Sequence, residues 1–248
     1  MSATILQAKN VKKYFETDEG FIANLLNRTE DIQAVDGVSL QLEENEVQGV
    51  IGESGCGKTT LLMVLMGLEN PTGGDVVYHD KPFSEFTKKD WKWYRRNVQI
   101  IFQDPFNSLD PKMTVRETLT EPVEIHGLDN GEQRIVEALE DAELEPAQKY
   151  LDQRPAQLSG GEKQRVSIAR ALVLDPQVIL ADEPVSMLDV STQASILQLL
   201  SRLIEERDTS MVYISHDLST VSYVCDKINV MYLGRIVEQA STDEIIDN

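Results

Sequence analysis

Residues 47–68, "VQGVIGESGCGKTTLLMVLMGL", decide the fold. "VQGVIG" (47–52) has the length and apolar content of a short buried strand, "GESGCGKTT" is a glycine turn, and "TTLLMVLMGL" is an apolar helix that should stop near Gly67. The turn meets the spacing G-x-x-x-x-G-K-[ST] in full, with Gly52, Gly57, Lys58 and Thr59 in the required places and an additional Gly55. A turn of this kind between a strand and a helix offers backbone N–H groups to a β-phosphate. The candidate nucleotide contacts are therefore Gly52, Glu53, Ser54, Gly55, Cys56, Gly57, Lys58, Thr59 and Thr60. Lys58 would reach the β/γ oxygens and the Thr59 hydroxyl would hold Mg²⁺. Cys56, at the start of the helix, is expected to have a lowered pKa and to react with alkylating reagents unless ATP protects it.

Downstream, "VILADEP" supplies the second half of a nucleotide site: four apolar residues of a buried strand, then Asp182 and Glu183 at its C-terminal end. Adjacent carboxylates there divide the work, with Asp182 orienting the Mg²⁺ shell and Glu183 polarising the attacking water as general base. A second glycine turn, "LSGGEKQR" (158–165), opens another helix about a hundred residues after the first. It presents unpaired N–H groups and a hydroxyl suited to an anion. One nucleotide has a single set of phosphates, so the second turn needs another explanation.

The rest of the chain alternates. "ILQAKN" and "QAVDGVSLQL" read as strands with an acidic loop insertion, 16–32, between them. A hairpin-like segment lies around "NPTGGDVVYHD", "VQIIF" (98–102) is another buried strand, and about 111–157 is mainly helical, with a capping box in "TVRE" from Thr114 to Glu117. From 162 onward come helix "EKQRVSIARALV", strand "QVILAD", helix "STQASILQLLSRLIEER", strand "MVYIS", helix "DLSTVSYVC" and strand "KINVMYL", ending in a capped helix at Ser241 to Glu244. Ile196, Leu199, Leu200, Leu203 and Ile204 form a helical stripe for the core. Alternation of this kind implies an α/β fold with a mostly parallel sheet covered on both faces.

Bulk composition narrows the function. The 248 residues are 41% hydrophobic, enough for a sizeable core. The longest apolar run, "LLMVLMGL" (61–68), is far short of the roughly 20 residues that span a bilayer. No basic and apolar leader opens the chain, and a cytoplasmic location is expected. A formal charge of −19, from 23 basic and 42 acidic residues, disfavours nucleic acid and anionic lipid, so membrane attachment must come through a protein. Acidic runs such as "EDAELEPAQ" (140–148) are solvated helix faces, and Cys56 and Cys225 are expected to be free thiols.

With the phosphate loop, the "VILADEP" strand and "LSGGEKQR" together, the chain resembles the ATP-binding cassette (ABC) superfamily over essentially its whole length. The resemblance implies a P-loop NTPase (RecA-like) core of mostly parallel sheet with an antiparallel β-subdomain, in one unit spanning 1–248. The core and β-subdomain would cover about 1–103 and 158–248, and an inserted helical subdomain about 104–157. It also implies that two cassettes pack head to tail, with Ser159, Gly160, Gly161 and Asp189 of one serving the ATP of the other. Gln103 resembles the residue that contacts Mg²⁺ and water, and His216 the switch histidine at the γ-phosphate. Tyr14 resembles the aromatic that stacks on adenine, with Phe15 as runner-up. Met187, beside Asp189, replaces a smaller residue usual there, and Glu162 stands where glutamine is commoner.

Among cassette proteins, chromosome-type engines carry a coiled coil between loop and signature, translation-type proteins carry two cassettes, repair-type ones carry zinc cysteines, and exporters are usually fused to membrane helices. None of these features is in this sequence. "IFQDPFNSLDPKMTVRETLTEP" and the insertion after Tyr14 resemble oligopeptide, dipeptide and nickel importer ATPases. That implies peptide import first, nickel or another small solute next, with a soluble non-transport ABC ATPase as the alternative. The implied partners are a second, identical or homologous, ATPase subunit, transmembrane permease subunits contacted through 104–122, and indirectly an extracytoplasmic binding protein. No nucleic acid is implied, and the location is the cytoplasmic face of the membrane. Many relatives continue into an extension that in some binds an iron–sulfur cluster; no cluster is assigned here.

Overall fold

The computed structural model describes residues 3–16, 31–106 and 108–247. Most of the insertion read at 16–32 lies outside the described residues, as does Asn107. The elements are, in order, β1 (Thr4–Phe15), β2 (Ile32–Glu43), β3 (Val47–Ile51), α1 (Lys58–Leu65), β4 (Gly73–Tyr78), β5 (Lys81–Pro82), α2 (Lys88–Asn97) and β6 (Val98–Ile101). Then follow α3 (Val115–His126), α4 (Gly131–Asp141), α5 (Gly160–Leu172), β7 (Val178–Asp182), α6 (Val190–Arg207), β8 (Ser210–Ser215), α7 (Leu218–Val224), β9 (Lys227–Tyr232), β10 (Arg235–Ser241) and α8 (Thr242–Ile246).

Two sheets form. One is antiparallel, in the order β2-β1-β4-β5; the other has the order β10-β9-β3-β8-β7-β6, parallel from β9 to β6 with β10 as an antiparallel edge. The expected parallel sheet is thus present, and its strands are the ones read as continuous apolar runs because both of their faces are covered. Alternation along β7 and β8 divides them: Ile179, Ala181, Met211 and Tyr213 pack with α5, α6 and the helical stretch, whereas Val178, Leu180, Val212 and Ile214 pack with α1 and the antiparallel sheet. The stripe on α6 is fully inside, as its period required.

Two elements were not anticipated by the sequence reading. Helix α2, "KKDWKWYRRN", carries few apolar residues, yet it is fixed by a Thr87–Asp90 capping box and by Tyr94, whose hydroxyl donates to the Leu65 carbonyl. Strand β10, "RIVEQAS", is an exposed edge whose alternation is weak, and pairing with β9 is what makes it a strand. The expected boxes at Thr114–Glu117 and Ser241–Glu244 are both formed.

Candidate functional site

The phosphate-loop glycines are dictated by local geometry. Gly57 has φ +108°, and a Cβ there would meet the Ala34 carbonyl oxygen at 2.0 Å. Gly55 has open space around it but φ +81°, so backbone conformation alone calls for glycine. The turn feeds α1, which has no side-chain cap and no acidic residue in its first turn, leaving its positive end for an anion. Lys58 is 6% exposed, and its ammonium donates to the carbonyls of Gly52 (2.7 Å) and Glu53 (2.9 Å). Those bonds offset the cost of burying a charge and hold the amine at the loop.

Above the loop opens a cavity of about 1130 Å³ lined by residues 51–60 together with Gln103, Glu183 and His216. Three separate strand ends deliver those last three side chains: Gln103 follows β6, Glu183 follows β7 and His216 follows β8. They converge on one oxygen, because Glu183 Oε2 accepts from Gln103 Nε2 (3.1 Å) and stands 3.0 Å from His216 Nδ1. Gln103 also donates to Ser186 Oγ at 3.3 Å. Glu183 adopts φ +44°, a left-handed conformation that a side chain seldom takes, and its N–H donates to the Ile214 carbonyl at 2.9 Å.

Asp182, one residue earlier, is 5% exposed, with Thr59 Oγ1 at 3.5 Å from its Oδ1. Burial pushes its carboxyl above the usual carboxylate range and the neighbouring Glu183 charge adds to this, while the Thr59 hydroxyl and Lys58 pull the other way. A buried acid with a hydroxyl beside it and a carboxamide nearby is an all-oxygen donor set of the kind a hard divalent cation uses when phosphates and water complete its shell. Among the described residues no cluster of three or more His, Cys, Asp or Glu offers a cage made by protein alone. Thr59 and Gln103 line the cavity and Asp182 stands beside Thr59, oxygen donors of the kind that could hold Mg²⁺ jointly with a nucleotide.

Other candidates lie apart. Ser159, Gly160, Gly161 and Asp189 do not line this cavity. They form their own locus: Ser159 caps α5, Asp189 caps α6 by accepting from Thr192 N (3.1 Å), and a Cβ on Gly161 would meet Thr192 Cγ2 at 2.7 Å. Hydrogen bonds from Ser191 and Thr192 hold the Asp189 carboxyl far below its ordinary range. Tyr14 is also absent from the lining, and its hydroxyl donates to Asp36 Oδ1 at 2.5 Å. Phe15 is exposed and is likewise outside the lining; it pairs across β1–β2 with Ile32 and Tyr14 pairs with Gln33, and both of those partners line the cavity. The Cys56 thiol is buried against Gly52, and that burial opposes the alkylation expected from its position at a helix start.

Sequence reading missed part of the lining: Gln33 and Ala34 at the start of β2, and Leu233 and Gly234 in the β9–β10 turn. These are joined by backbone bonds, Asp36 N to Gly234 O and Gly234 N to Cys56 O. Backbone contacts between distant segments leave no pattern in side chains. A glycine after an apolar strand, at Gly234, was the one available sign.

Comparisons with known proteins give the family. The family model described as "ABC transporter" matches residues 35–186. The chain is 41% identical to "Oligopeptide transport ATP-binding protein AppF" of Bacillus subtilis, over 99% of this chain and 74% of the relative. It is 42% identical to "Dipeptide transport ATP-binding protein DppF" of Escherichia coli, over 98% and 72%. Among solved structures it is similar to the ATP-binding cassette MJ0796, a dimer in a post-hydrolysis state bound to ADP and Pi, with TM-score 0.81, 33% identity, and 96% and 99% of the two chains covered. It is similar as well to cbiO1 from Clostridium perfringens, part of the ABC transporter complex cbiONQ, with TM-score 0.81, 27% identity, and 99% and 91% covered.

Proposed function

The chain belongs to the ABC transporter family, and from that premise we propose that it is the ATP-hydrolysing subunit of an importer for peptides. The observation that carries the chemistry is the convergence of Gln103 and His216 on Glu183 Oε2 across the cavity from the phosphate loop. Lys58 exchanges the Gly52 and Glu53 carbonyls for β/γ oxygens when ATP enters. Glu183 takes a proton from water as the water oxygen attacks the γ-phosphorus and the β–γ bridging P–O bond breaks, leaving ADP and phosphate. Gln103 and His216 hold the Glu183 carboxylate in place for that transfer. Bound Mg²⁺ supplies neutralisation of the β/γ charge, and Thr59, Gln103 and Asp182 are the residues that would hold it.

Adenine contact falls to the end of β1, where Tyr14 and its neighbour Phe15 pair with Gln33 and Ile32, both of which line the cavity; the Asp36 contact engages the Tyr14 hydroxyl and not its ring face. Ser159–Gly161 and Asp189 serve the nucleotide of a facing cassette, which explains why they form a locus separate from this chain's own cavity. The remaining partners are permease subunits, met through 104–122, where Phe106 stands 52% exposed beside Lys163. No helix among the described residues is long and apolar enough to cross a membrane, and in this reading attachment to the membrane runs through those subunits. The whole chain works as one cassette, with 104–157 as its helical part.

The peptide reading is tested by uptake of a labelled dipeptide and a labelled oligopeptide in cells lacking the chain, complemented with wild type or Lys58→Ala. Uptake restored only by wild type supports it. Normal peptide uptake with lost nickel uptake would move the assignment to the metal importers.

A further inference from the structure

The corner where α4 ends is held by three arginines of the core helices. Arg165 of α5 donates from Nη1 to the Ala142 carbonyl (2.9 Å) and to Glu143 Oε2 (2.6 Å), and from Nη2 to Ser195 Oγ of α6 (2.7 Å). Arg202 of α6 donates to the Asp141 carbonyl (3.0 Å) and to Glu143 Oε1 (3.3 Å), and Arg207 reaches the Asp141 carboxylate. Arg165 alone of the three belongs to α5, and its side chain is 14% exposed against 38% for Arg202. Its place on α5 matters. Gly161 and Arg165 lie one turn apart on one face of α5, at i and i+4, while Thr192 and Ser195 stand at i and i+3 on α6. A Cβ on Gly161 would meet Thr192 Cγ2 at 2.7 Å, so the two helices touch near their starts, and the Arg165–Ser195 bond is the next rung along. Those starts carry Ser159 and Asp189 as their caps.

We propose that Arg165 is a positioning residue of the ATPase cycle: by tying α5 to α6 through Ser195, and to the end of α4 through Ala142 and Glu143, it keeps Ser159–Gly161 and Asp189 in one fixed arrangement for a facing cassette's nucleotide. This rests on the reading of those residues as serving a partner's ATP. A guanidinium suits the task, because its planar fork reaches acceptors on two sides at once, whereas a lysine ammonium is a point charge on a flexible stem. The consequence is a population. A turn that holds the productive geometry only part of the time takes the partner's nucleotide with an affinity reduced by that fraction. Nucleotide contacts of the same chain are untouched, because Arg165 does not line the cavity.

The test titrates ATP against doubling of mass by light scattering, with Mg²⁺ present, in Glu183→Gln as the parent, where loss of the general base keeps a closed dimer from reopening by hydrolysis. Arg165→Ala, Ser195→Ala and Arg202→Gln are each added to it. Ser195→Ala removes only the rung to α6, at a helical position that favours alanine, so it decides the matter where Arg165→Ala fails to fold. Arg202→Gln loosens the same corner without freeing α5. The expected result is a rise of about tenfold in the ATP concentration for half-assembly with Arg165→Ala, that of a turn in place a tenth of the time, a smaller rise with Ser195→Ala and none with Arg202→Gln. Binding of a fluorescent ATP analogue to the separate chain should be equal in all four. A purely structural role predicts a lower thermal midpoint with both arginine substitutions and thresholds that move together. An unchanged threshold in Ser195→Ala, or an equal shift in Arg202→Gln, overturns the proposal and leaves the ATPase assignment intact. Adding Ser159→Arg to the parent tests the reading beneath it: assembly that survives this substitution, or a parent that stays monomeric at every ATP concentration, removes the turn from an interface between copies, and the proposal falls with that reading.

Discussion

The two glycine turns of this molecule each open a helix and solve the problem of a helix N-terminus in opposite ways. At the phosphate loop, Gly57 gives α1 no side-chain cap and the first turn no acid, so the positive end stays available, with buried Lys58 held in place by Gly52 and Glu53 carbonyls. At Ser159, α5 is closed on itself by Glu162. The first is a preorganised receptor and the second a satisfied cap. The contrast teaches that a glycine turn before a helix is not in itself an anion site; what matters is whether the chain already supplies the anion.

The largest effect expected from breaking this contrast is at the chemistry. Glu183→Gln should lower phosphate release at saturating ATP by about 10²–10⁴-fold, the usual contribution of a general base, while nucleotide binding persists. Full hydrolysis in that variant would remove Glu183 from the base role. Next, Lys58→Ala should weaken ATP binding by at least about tenfold, read by titration of a fluorescent ATP analogue, because it removes a charge-assisted bond to the phosphates. Ser159→Ala should leave the same titration unchanged if the second turn serves another cassette.

A pH series sharpens the electrostatic side. The folded state raises the Asp182 pKa, so its ionised form opposes folding; the penalty is absent in acid and grows as pH rises through the folded pKa. Asp182→Asn should therefore raise the unfolding midpoint of the nucleotide-free protein near neutrality, and the difference from wild type should shrink toward low pH. A constant difference would assign the effect to packing. The smallest expected effect belongs to a cap remote from both turns. Thr114→Ala should cost about 1 kcal/mol in denaturant unfolding and leave ATP-driven assembly unaltered, which calibrates how much of any change at Ser159 is capping alone.

Much of the site was legible because its chemistry is local. The loop from Gly52 to Thr60 is contiguous, and Asp182 and Glu183 are adjacent at the end of an apolar run. Single residues such as Gln103 and His216 carried no such pattern and were placed by family resemblance; their shared contact at Glu183 Oε2 depends on β6, β7 and β8 being neighbours in one sheet. Helix α2 escaped notice because its apolar content is low and its anchor, Tyr94, reaches a carbonyl in α1.

By itself, then, the sequence determined the alternating α/β architecture, the phosphate loop and the carboxylate pair, since hydrophobic period, glycine spacing and neighbouring acids act over a few residues. Tertiary structure alone decided that the Tyr14 hydroxyl belongs to Asp36, that Cys56 is buried, that Gln33 and Gly234 wall the cavity, and that Glu162 closes its own turn on Ser159. Each of those outcomes depends on which partner reaches a given atom first in three dimensions, a competition settled by packing and hydrogen-bond geometry, not by residue type.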